Sequence, residues 1–538
     1  VGTGMVATTF CADTPLWVAG KVATHGISGN WLWWSAAAGG MLTVFFFARL
    51  WRRAGVLTDL ELFDIRSCGG TARFPRGFKA IYFGVFMNCI VMGWVNTALL
   101  TILRVLLPDL GEGQLQLLVI GAALLTLVYV AAAGLWGIMI ADAFQFTVAM
   151  FGAILLAIYA ANHPTVLAAG GLTGALPPEM FQFLPDFSNA GGGDLVRITL
   201  GAFFAYTLIQ WWASWYPGAE PGGGGYVAQR IMSAKDERQG MLATLWFVVA
   251  HYCVRSWPWI VAALAAVVLY PELSDAEREG GYVQLIRDVL PSPLRGLVVA
   301  AFLGAYMSTL STHLNWGCSY LINDFYKPFI RPGLSESQYV RSSRVATVLL
   351  AALALLLSFT VLGSIREAWD FLLSITGGMG FVLILRWYWS RVNAAAELAA
   401  MIAPLVALLG LYAAEQAGLK TPGAPENLYI IAPVSALVIL LTMYLTPGED
   451  PQVLKRFYDR VRPPGPGWRN VSGASLPGLG RAFAGWAAGV VLVYSLLCLI
   501  GAVSFAFWTQ AAVLAVLFVI AVLVLIQVFR REFPEEQA

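Results

Sequence analysis

Charged residues are scarce in this chain, and their scarcity excludes most classes of soluble protein. Only 12% of the 538 residues are charged and 59% are hydrophobic, whereas soluble domains carry about 25% charged residues. A net charge of +2 without a long basic run gives no indication of nucleic-acid binding. Apolar runs of roughly 20 residues, each long enough to cross a bilayer, recur along nearly the whole length. The composition therefore predicts an all-α polytopic membrane protein whose surroundings are lipid.

Cysteine is also rare. The six cysteines lie mostly within apolar runs and show no spacing typical of metal ligands or of a disulfide framework. The chain begins at Val1, without a methionine and already inside an apolar stretch. We therefore expect the N-terminal part of the protein to be missing from this sequence.

Hydropathy predicts about fourteen transmembrane helices. They lie near residues 3–20, 31–50, 78–107, 115–134, 136–161, 195–215, 241–270, 294–323, 340–363, 369–390, 395–417, 428–446, 483–507 and 509–530.

Lysine and arginine are concentrated in alternate loops, for example in residues 52–79 and 455–469, whereas the loop at 271–288 is acidic. The positive-inside rule places the basic loops and the C-terminus in the cytoplasm. Spans 1–5 and 6–10 then have opposite topology, as an inverted five-plus-five repeat requires. We predict two repeats, 1–161 and 195–390, and accessory C-terminal spans with a cytoplasmic loop in 395–538.

Two spans contain residues that disfavour a continuous helix. Thr8, Thr9, Asp13 and Pro15 interrupt the first span, where freed carbonyls could coordinate a cation. The alternative is a simple proline kink. Residues 217–225, PGAEPGGGG, follow the sixth span and predict either an unwound segment or a flexible loop.

The eighth span carries four hydroxyls in five positions, at Ser308, Thr309, Ser311 and Thr312. Ser308 and Thr312 are spaced i, i+4 and so share a helix face. Oxygen ligands suit a small hard cation, and we interpret this stretch as half of a sodium site. The alternative is helix packing, with each hydroxyl bonded to its own backbone.

Two charged residues lie within apolar runs, where a charge usually has a partner. Asp142, in the fifth span, could face a cation or cap the helix. Arg255, in the seventh span, could contact an anionic solute, pair with Asp13 or Glu220, or extend to the membrane surface.

Other side chains leave two interpretations open. Trp94 and Trp211 could line a pocket or belong to an interfacial aromatic belt. Thr376 precedes Gly377 and Gly378 in the tenth span, where small residues permit bending or close packing.

The chain resembles the sodium/solute symporter family, whose members have the LeuT-type fold. The resemblance lies in ATTFCADT at 7–14, GLWGIMIADAFQ at 134–145, YVAQRIMSAK at 226–235 and AYMSTLSTHLN at 305–315, which continues to NDFYK at 323–327. RWYWSR at 386–391 is also similar to the family. The glycine-rich residues 217–225 depart from the family pattern.

The resemblance implies a Na⁺ site shared by spans 1 and 8. Its ligands would be the carbonyls of Ala7, Phe10 and Ala305 and the hydroxyls of Ser308 and Thr309. Some family members hold a second sodium, which here would involve Asp142, Ser311 and Thr312.

The resemblance also implies a solute site at the break in span 1 and on spans 3, 6, 7 and 10. The corresponding residues here are Asp13, Thr14, Trp94, Trp211, Arg255 and Thr376.

We therefore predict a sodium-coupled symporter, not an enzyme, that imports a small organic solute by alternating access. Arg255 slightly favours an amino or carboxylic acid over a sugar. We expect it in a bacterial inner membrane; the sequence does not indicate an oligomeric state. A transporter-like solute sensor and a proton-translocating respiratory subunit are alternatives. The second would need a line of intramembrane Lys, His or Glu, whereas the lysines here lie in loops or at span ends.

Overall fold

In the computed structural model, the backbone is described for residues 1–56, 58–67, 69–185, 187, 198–275 and 277–533. Side chains at 69–72 and 131–140 are not included in that description. The described residues are overwhelmingly helical and contain no β-strand.

The membrane region is built from helices that we label in chain order. They are α1 Gly2–Thr8, α2 Asp13–His25, α3 Ile27–Ala54, α4 Arg73–Leu106, α5 Glu112–Ala161, α6 at 200–213, α7 Gly225–Met232, α8 Glu237–Leu269, α9 Ser292–Ile330, α10 Glu336–Thr360, α11 Ile365–Ile375, α12 Met379–Tyr388, α13 Ala394–Gln416, α14 Leu428–Leu445, α15 Leu479–Ser504 and α16 Trp508–Glu532. Shorter helices, among them Arg278–Asp288 and Pro451–Val461, lie between them.

The fold class is confirmed, but the count of fourteen spans is not. Eleven helical segments in the described residues are long and apolar enough to cross a membrane, two of them, Glu112–Val130 and Ala141–Ala161, within α5. The count is twelve if the bent pair α11 and α12 forms one span. The first predicted span is divided between α1 and α2 because its polar and Pro residues interrupt the backbone ladder, and the sixth corresponds to the short helix α6. The predicted boundary at 134–136 lies within the single helix α5, among residues whose side chains are not described.

Three interruptions expose backbone inside the helical bundle. Residues 9–12 separate α1 from α2, residues 214–224 separate α6 from α7, and residues 376–378 separate α11 from α12 with a bend of 48°. The proline kink considered for span 1 is therefore wrong, since α1 ends at Thr8 and a second helix begins at Asp13.

The second and third interruptions are joined to each other. The Gly378 amide donates to the Ala213 carbonyl at 3.0 Å, and Trp215 N donates to Thr376 Oγ1 at 3.0 Å. Gly378 has φ +105°, a conformation that favours glycine. Residues 214–224 thus form an unwound segment whose start bonds to the bend between α11 and α12, and whose Gly222 lies against the Leu383 carbonyl of α12.

Candidate sodium and solute sites

The break between α1 and α2 is held by side chains from α8. Arg255 Nη1 donates to the Thr9 carbonyl at 2.7 Å and to Thr9 Oγ1 at 3.2 Å. His251 Nδ1 lies 2.9 Å from the same hydroxyl, and its Nε2 lies 3.2 Å from Arg255 Nη2. A π-helical turn at Ala250–Val254 precedes Arg255 and brings both side chains to one face.

Arg255 is only 1% exposed and packs against the faces of Trp33 and Trp259. Extension to the membrane surface is therefore wrong. Arg255 also forms no ion pair with Asp13 or Glu220 among the described residues. Its main partner is the backbone at the end of α1, which the sequence does not predict.

The hydroxyl-bearing stretch of α9 packs against α1 and α5. Thr309 lies beside Cys11, which is within the break. The hydroxyl oxygens of Thr309 and Thr312 are buried and lack a hydrogen-bond partner among the described residues. Ser311 Oγ instead donates to the Ser308 carbonyl at 2.9 Å. Helix packing with all hydroxyls bonded to their own backbone therefore does not describe this stretch.

Asp142 connects α5 to the same stretch. Ser308 Oγ donates to Asp142 Oδ1 at 2.5 Å, while Oδ2 has no hydrogen-bond partner in the described structure and lies 3.7 Å from Arg230 Nη2. Asp142 is fully buried within α5, so it does not cap a helix end. Arg230 also donates to Thr8 Oγ1 at 2.5 Å. One arginine thus reaches both the end of α1 and the carboxylate of α5.

The predicted ligands of the first ion lie on two helices that are in contact and in the break between α1 and α2. Ala7 is buried on α1, Phe10 is buried in the break, and Ala305, Ser308 and Thr309 are buried on α9. The predicted second set, Asp142, Ser311 and Thr312, lies on α5 and on the same part of α9. Unpartnered hydroxyl and carboxylate oxygens in a buried place are the donors that a small cation requires.

A cavity lies beside the break, toward α6 and α11. Three predicted solute residues line it, namely Thr14, Trp211 and Arg255. Aromatic and polar neighbours complete the wall, and the sequence did not single out Gln210 or Trp369 among them. A mostly apolar wall with a few convergent polar groups is typical of small-molecule sites.

Three other predicted solute residues do not line this cavity. Asp13 is 1% exposed and accepts from Thr14 Oγ1 at 3.4 Å. Trp94 packs on Trp369 with ring centroids 5.9 Å apart and is buried, so it does not belong to an interfacial belt. The Thr376 hydroxyl is occupied by Trp215 N and the Leu372 carbonyl. All three are buried in contacts with other protein groups and lie outside the cavity lining.

Arg230 is the main site residue that the sequence analysis missed. It lies in the quoted stretch 226–235, which was interpreted as part of a basic cytoplasmic loop. It is 9% exposed and lies in α7. A cation five residues beyond an unwound segment was the only local signal, and nothing nearby in sequence identifies Asp142 as its partner.

Comparison with known proteins decides the family. The model of the sodium:solute symporter family matches residues 1–404. The chain belongs to the sodium:solute symporter family. It is a membrane transporter of that family, not an enzyme.

Individual relatives are distant. The chain is 23% identical over 435 residues to a sodium/glucose cotransporter of Vibrio parahaemolyticus, covering 75% of each protein. It is 23% identical over 295 residues to the sodium/proline symporter of Escherichia coli, covering 52% of this chain and 53% of that one.

A Na⁺-coupled sialic acid symporter in a substrate-bound outward-open state has a similar fold. The TM-score is 0.62 at 16% identity, and the similarity covers 84% of this chain and 90% of that one.

Proposed function

We propose that this symporter couples the inward movement of Na⁺ to the import of a small organic solute by alternating access. The observation that carries the proposal is the interrupted first span beside a stretch of α9 whose Thr309 and Thr312 hydroxyls lack partners in the described residues. Buried polar groups are almost always satisfied, so these two hydroxyl oxygens are the ones available to a bound ion.

The first Na⁺ would lie between α1 and α9. The carbonyls of Ala7, Phe10 and Ala305 and the hydroxyls of Ser308 and Thr309 would supply five oxygens. All five residues are buried, and Thr309 lies beside the break. Five neutral oxygens suit a monovalent ion, which needs no carboxylate when carbonyl dipoles point at it.

A second ion is supported by Asp142, Ser311 and Thr312. The Asp142 Oδ2 and Thr312 Oγ1 atoms are both buried without a hydrogen-bond partner among the described residues. Ser308 donates to Asp142, so this serine would connect the two ions. Arg230, at 3.7 Å from Asp142, would take over part of the carboxylate's charge when that ion leaves.

The Na⁺ ion would stabilise the break in a shape that completes the solute cavity. Thr14 lines that cavity and is one residue beyond the start of α2, so a change in the break moves a wall of the cavity. Sodium then raises solute affinity, and the solute raises sodium affinity equally. A membrane potential of about 100 mV supplies roughly 2.3 kcal/mol for each charge moved.

Arg255 supports an amino or carboxylic acid as the solute. Its guanidinium lines the cavity, and its Nε lacks a hydrogen-bond partner in the described structure. Guanidinium groups bind carboxylates well because their donors match the carboxylate geometry. We place the basic loops and the C-terminus in the cytoplasm of a bacterial inner membrane, on the strength of the alternating loop charges.

The test is solute uptake into proteoliposomes with a sodium gradient. A panel of amino acids, carboxylic acids and sugars is screened first by thermal shift, with and without sodium. Ser308→Ala/Thr309→Ala should abolish sodium-dependent uptake because two of five ligands are lost.

The matched control is Thr347→Ala/Thr360→Ala, which removes two hydroxyls bonded to the carbonyls of their own helix α10. This control should transport normally. Normal sodium-dependent uptake by the Ser308 and Thr309 variant would contradict the proposed site.

A further inference from the structure

A second cavity lies on the opposite side of the unwound segment at residues 214–224. Ser214, Tyr216 and Ala219 line the solute cavity, whereas Trp215 and Glu220 line the second, smaller one. The segment thus forms a wall between two cavities. The second cavity is also lined by ends of helices that the loop charges place toward the cytoplasm.

Glu220 is the unusual residue of this cavity. It is 3% exposed, and neither of its carboxylate oxygens has a hydrogen-bond partner among the described residues. No ion pair within the described part of the chain includes it. An ionised carboxylate that is buried without a partner is costly, so Glu220 must either take up a proton or bind a cation.

A second carboxylate faces the same place. Asp59 is 7% exposed, lines the cavity and accepts from the Tyr320 hydroxyl. A Cβ atom on Gly224 would lie 3.6 Å from Asp59 Oδ2 and 3.7 Å from Glu220 Cγ. Both carboxylates therefore approach the backbone at Gly224.

The adjacent Gly225 reinforces this arrangement. A Cβ atom there would lie 2.6 Å from Glu220 Oε1, and its φ is +52°. Only glycine allows the backbone to pass this close to the carboxylate. The glycine-rich stretch is therefore shaped around Glu220.

Neither cation that lines the cavity forms an ion pair with Glu220 in the described structure. Lys79 and Arg386 line it, but both bind Glu397 Oε2, at 3.4 and 3.1 Å, and Glu397 lies outside the lining. The nearby Arg66 also lies outside the lining and donates to three backbone carbonyls. Glu220 is thus left without a cationic partner among the described residues.

We propose that Glu220 and Asp59 form a further cation site that takes one Na⁺ ion. Carboxylate and hydroxyl oxygens are the ligands of small hard cations, and one monovalent ion balances the charge of the unpaired Glu220 carboxylate. The site is separate from both proposed sites on α9. It is connected to them by α7, which begins at Gly225 and carries Arg230 to Thr8 and Asp142.

The experiment is equilibrium binding of ²²Na⁺ to purified protein. Glu220→Gln should bind one ion fewer per chain, or bind that ion about tenfold or more weakly. Ser308→Ala/Thr309→Ala should lose a different ion, so failure of either proposal is seen separately. Glu415→Gln, which changes an exposed carboxylate on α13, should bind as wild type. Unchanged sodium number and affinity in folded Glu220→Gln would overturn the proposal.

A measurement on the wild-type protein covers the case in which Glu220→Gln does not fold. Dicyclohexylcarbodiimide modifies buried carboxyl groups, and mass spectrometry locates the product. Sodium should slow the modification of Glu220, whereas choline at equal ionic strength should not. Modification that depends on pH but not on sodium would mean that Glu220 carries a proton instead, and would overturn the assignment to Na⁺.

Discussion

The first and sixth spans are both interrupted, but the two breaks are held in different ways. The break at residues 9–12 is short and is fixed by polar side chains, chiefly Arg255 on the Thr9 carbonyl and Arg230 on the Thr8 hydroxyl. The break at 214–224 is longer, and its backbone packs closely on the backbone of α12. A Cβ atom at Gly222 would lie 2.6 Å from the Leu383 carbonyl oxygen. The Gly378 amide also donates to the Ala213 carbonyl, and the Thr376 hydroxyl accepts from Trp215 N.

The difference shows which break can respond to an ion. A backbone held by a few side chains can be reshaped when a ligand replaces one of them, whereas a backbone packed on another backbone resists local change. We therefore expect the first break to respond to sodium, and the second to move together with α11 and α12.

The side-chain hold on the first break is tested by Arg255→Ala. The change leaves the Thr9 carbonyl without its charged donor and removes the contacts with Trp33 and Trp259. We expect the free energy of unfolding to fall by about 4 kcal/mol and uptake to be lost. Arg344→Ala, at an exposed arginine of α10, is the control. Wild-type stability in Arg255→Ala, measured by denaturation in detergent, would show that the first break needs no such hold.

The backbone packing of the second break is tested by Gly380→Ala. A Cβ atom at Gly380 would lie 1.8 Å from the Trp212 carbonyl oxygen, so α12 would have to move away from α6. We expect the free energy of unfolding to fall by about 3 kcal/mol. The counterpart near the first break is Gly4→Ala, whose Cβ would meet only Arg230 Nε at 3.8 Å and should be neutral or slightly stabilising. Equal effects of the two changes on the melting temperature would remove the distinction between the breaks.

The link between the second break and the bend is tested by Thr376→Val. This substitution keeps the shape of the side chain but leaves Trp215 N without its acceptor. We expect the free energy of unfolding to fall by about 2 kcal/mol because a buried donor is left unpaired. The KM for the solute should rise, because Trp215 is adjacent to residues that line the solute cavity. Thr360→Val, at an exposed hydroxyl bonded to its own helix, is the control. A Thr376 variant that matches this control would mean that the backbone contacts alone hold the segment.

Local signals in the sequence predicted the first break and the polar face of α9. Thr8, Thr9 and Pro15 disfavour a helix wherever they occur, and the spacing of Ser308 and Thr312 defines a face without knowledge of the fold. The division into repeats at 1–161 and 195–390 stays a prediction. The count of fourteen spans is not confirmed, because the first predicted span is broken, the sixth is a short helix and the tenth is the bent pair α11 and α12.

Contacts between distant residues could not be predicted. Arg230 meets Asp142 and Thr8 across long stretches of chain, and Thr376 meets Trp215 in the same way. A single sequence carries no information about which buried polar groups pair across helices. The hypothesis that Arg255 extends to the surface was wrong for this reason, since its backbone acceptor lies 246 residues away.

The most direct test of the account is an experimental structure of the protein in sodium, compared with one in choline, at a resolution that shows bound ions. We predict a density peak, present only in sodium, coordinated by the carbonyls of Ala7, Phe10 and Ala305 and by the hydroxyls of Ser308 and Thr309. The account would be contradicted if the structure in sodium showed no ion density at this position and the Thr309 hydroxyl were bonded to another protein group.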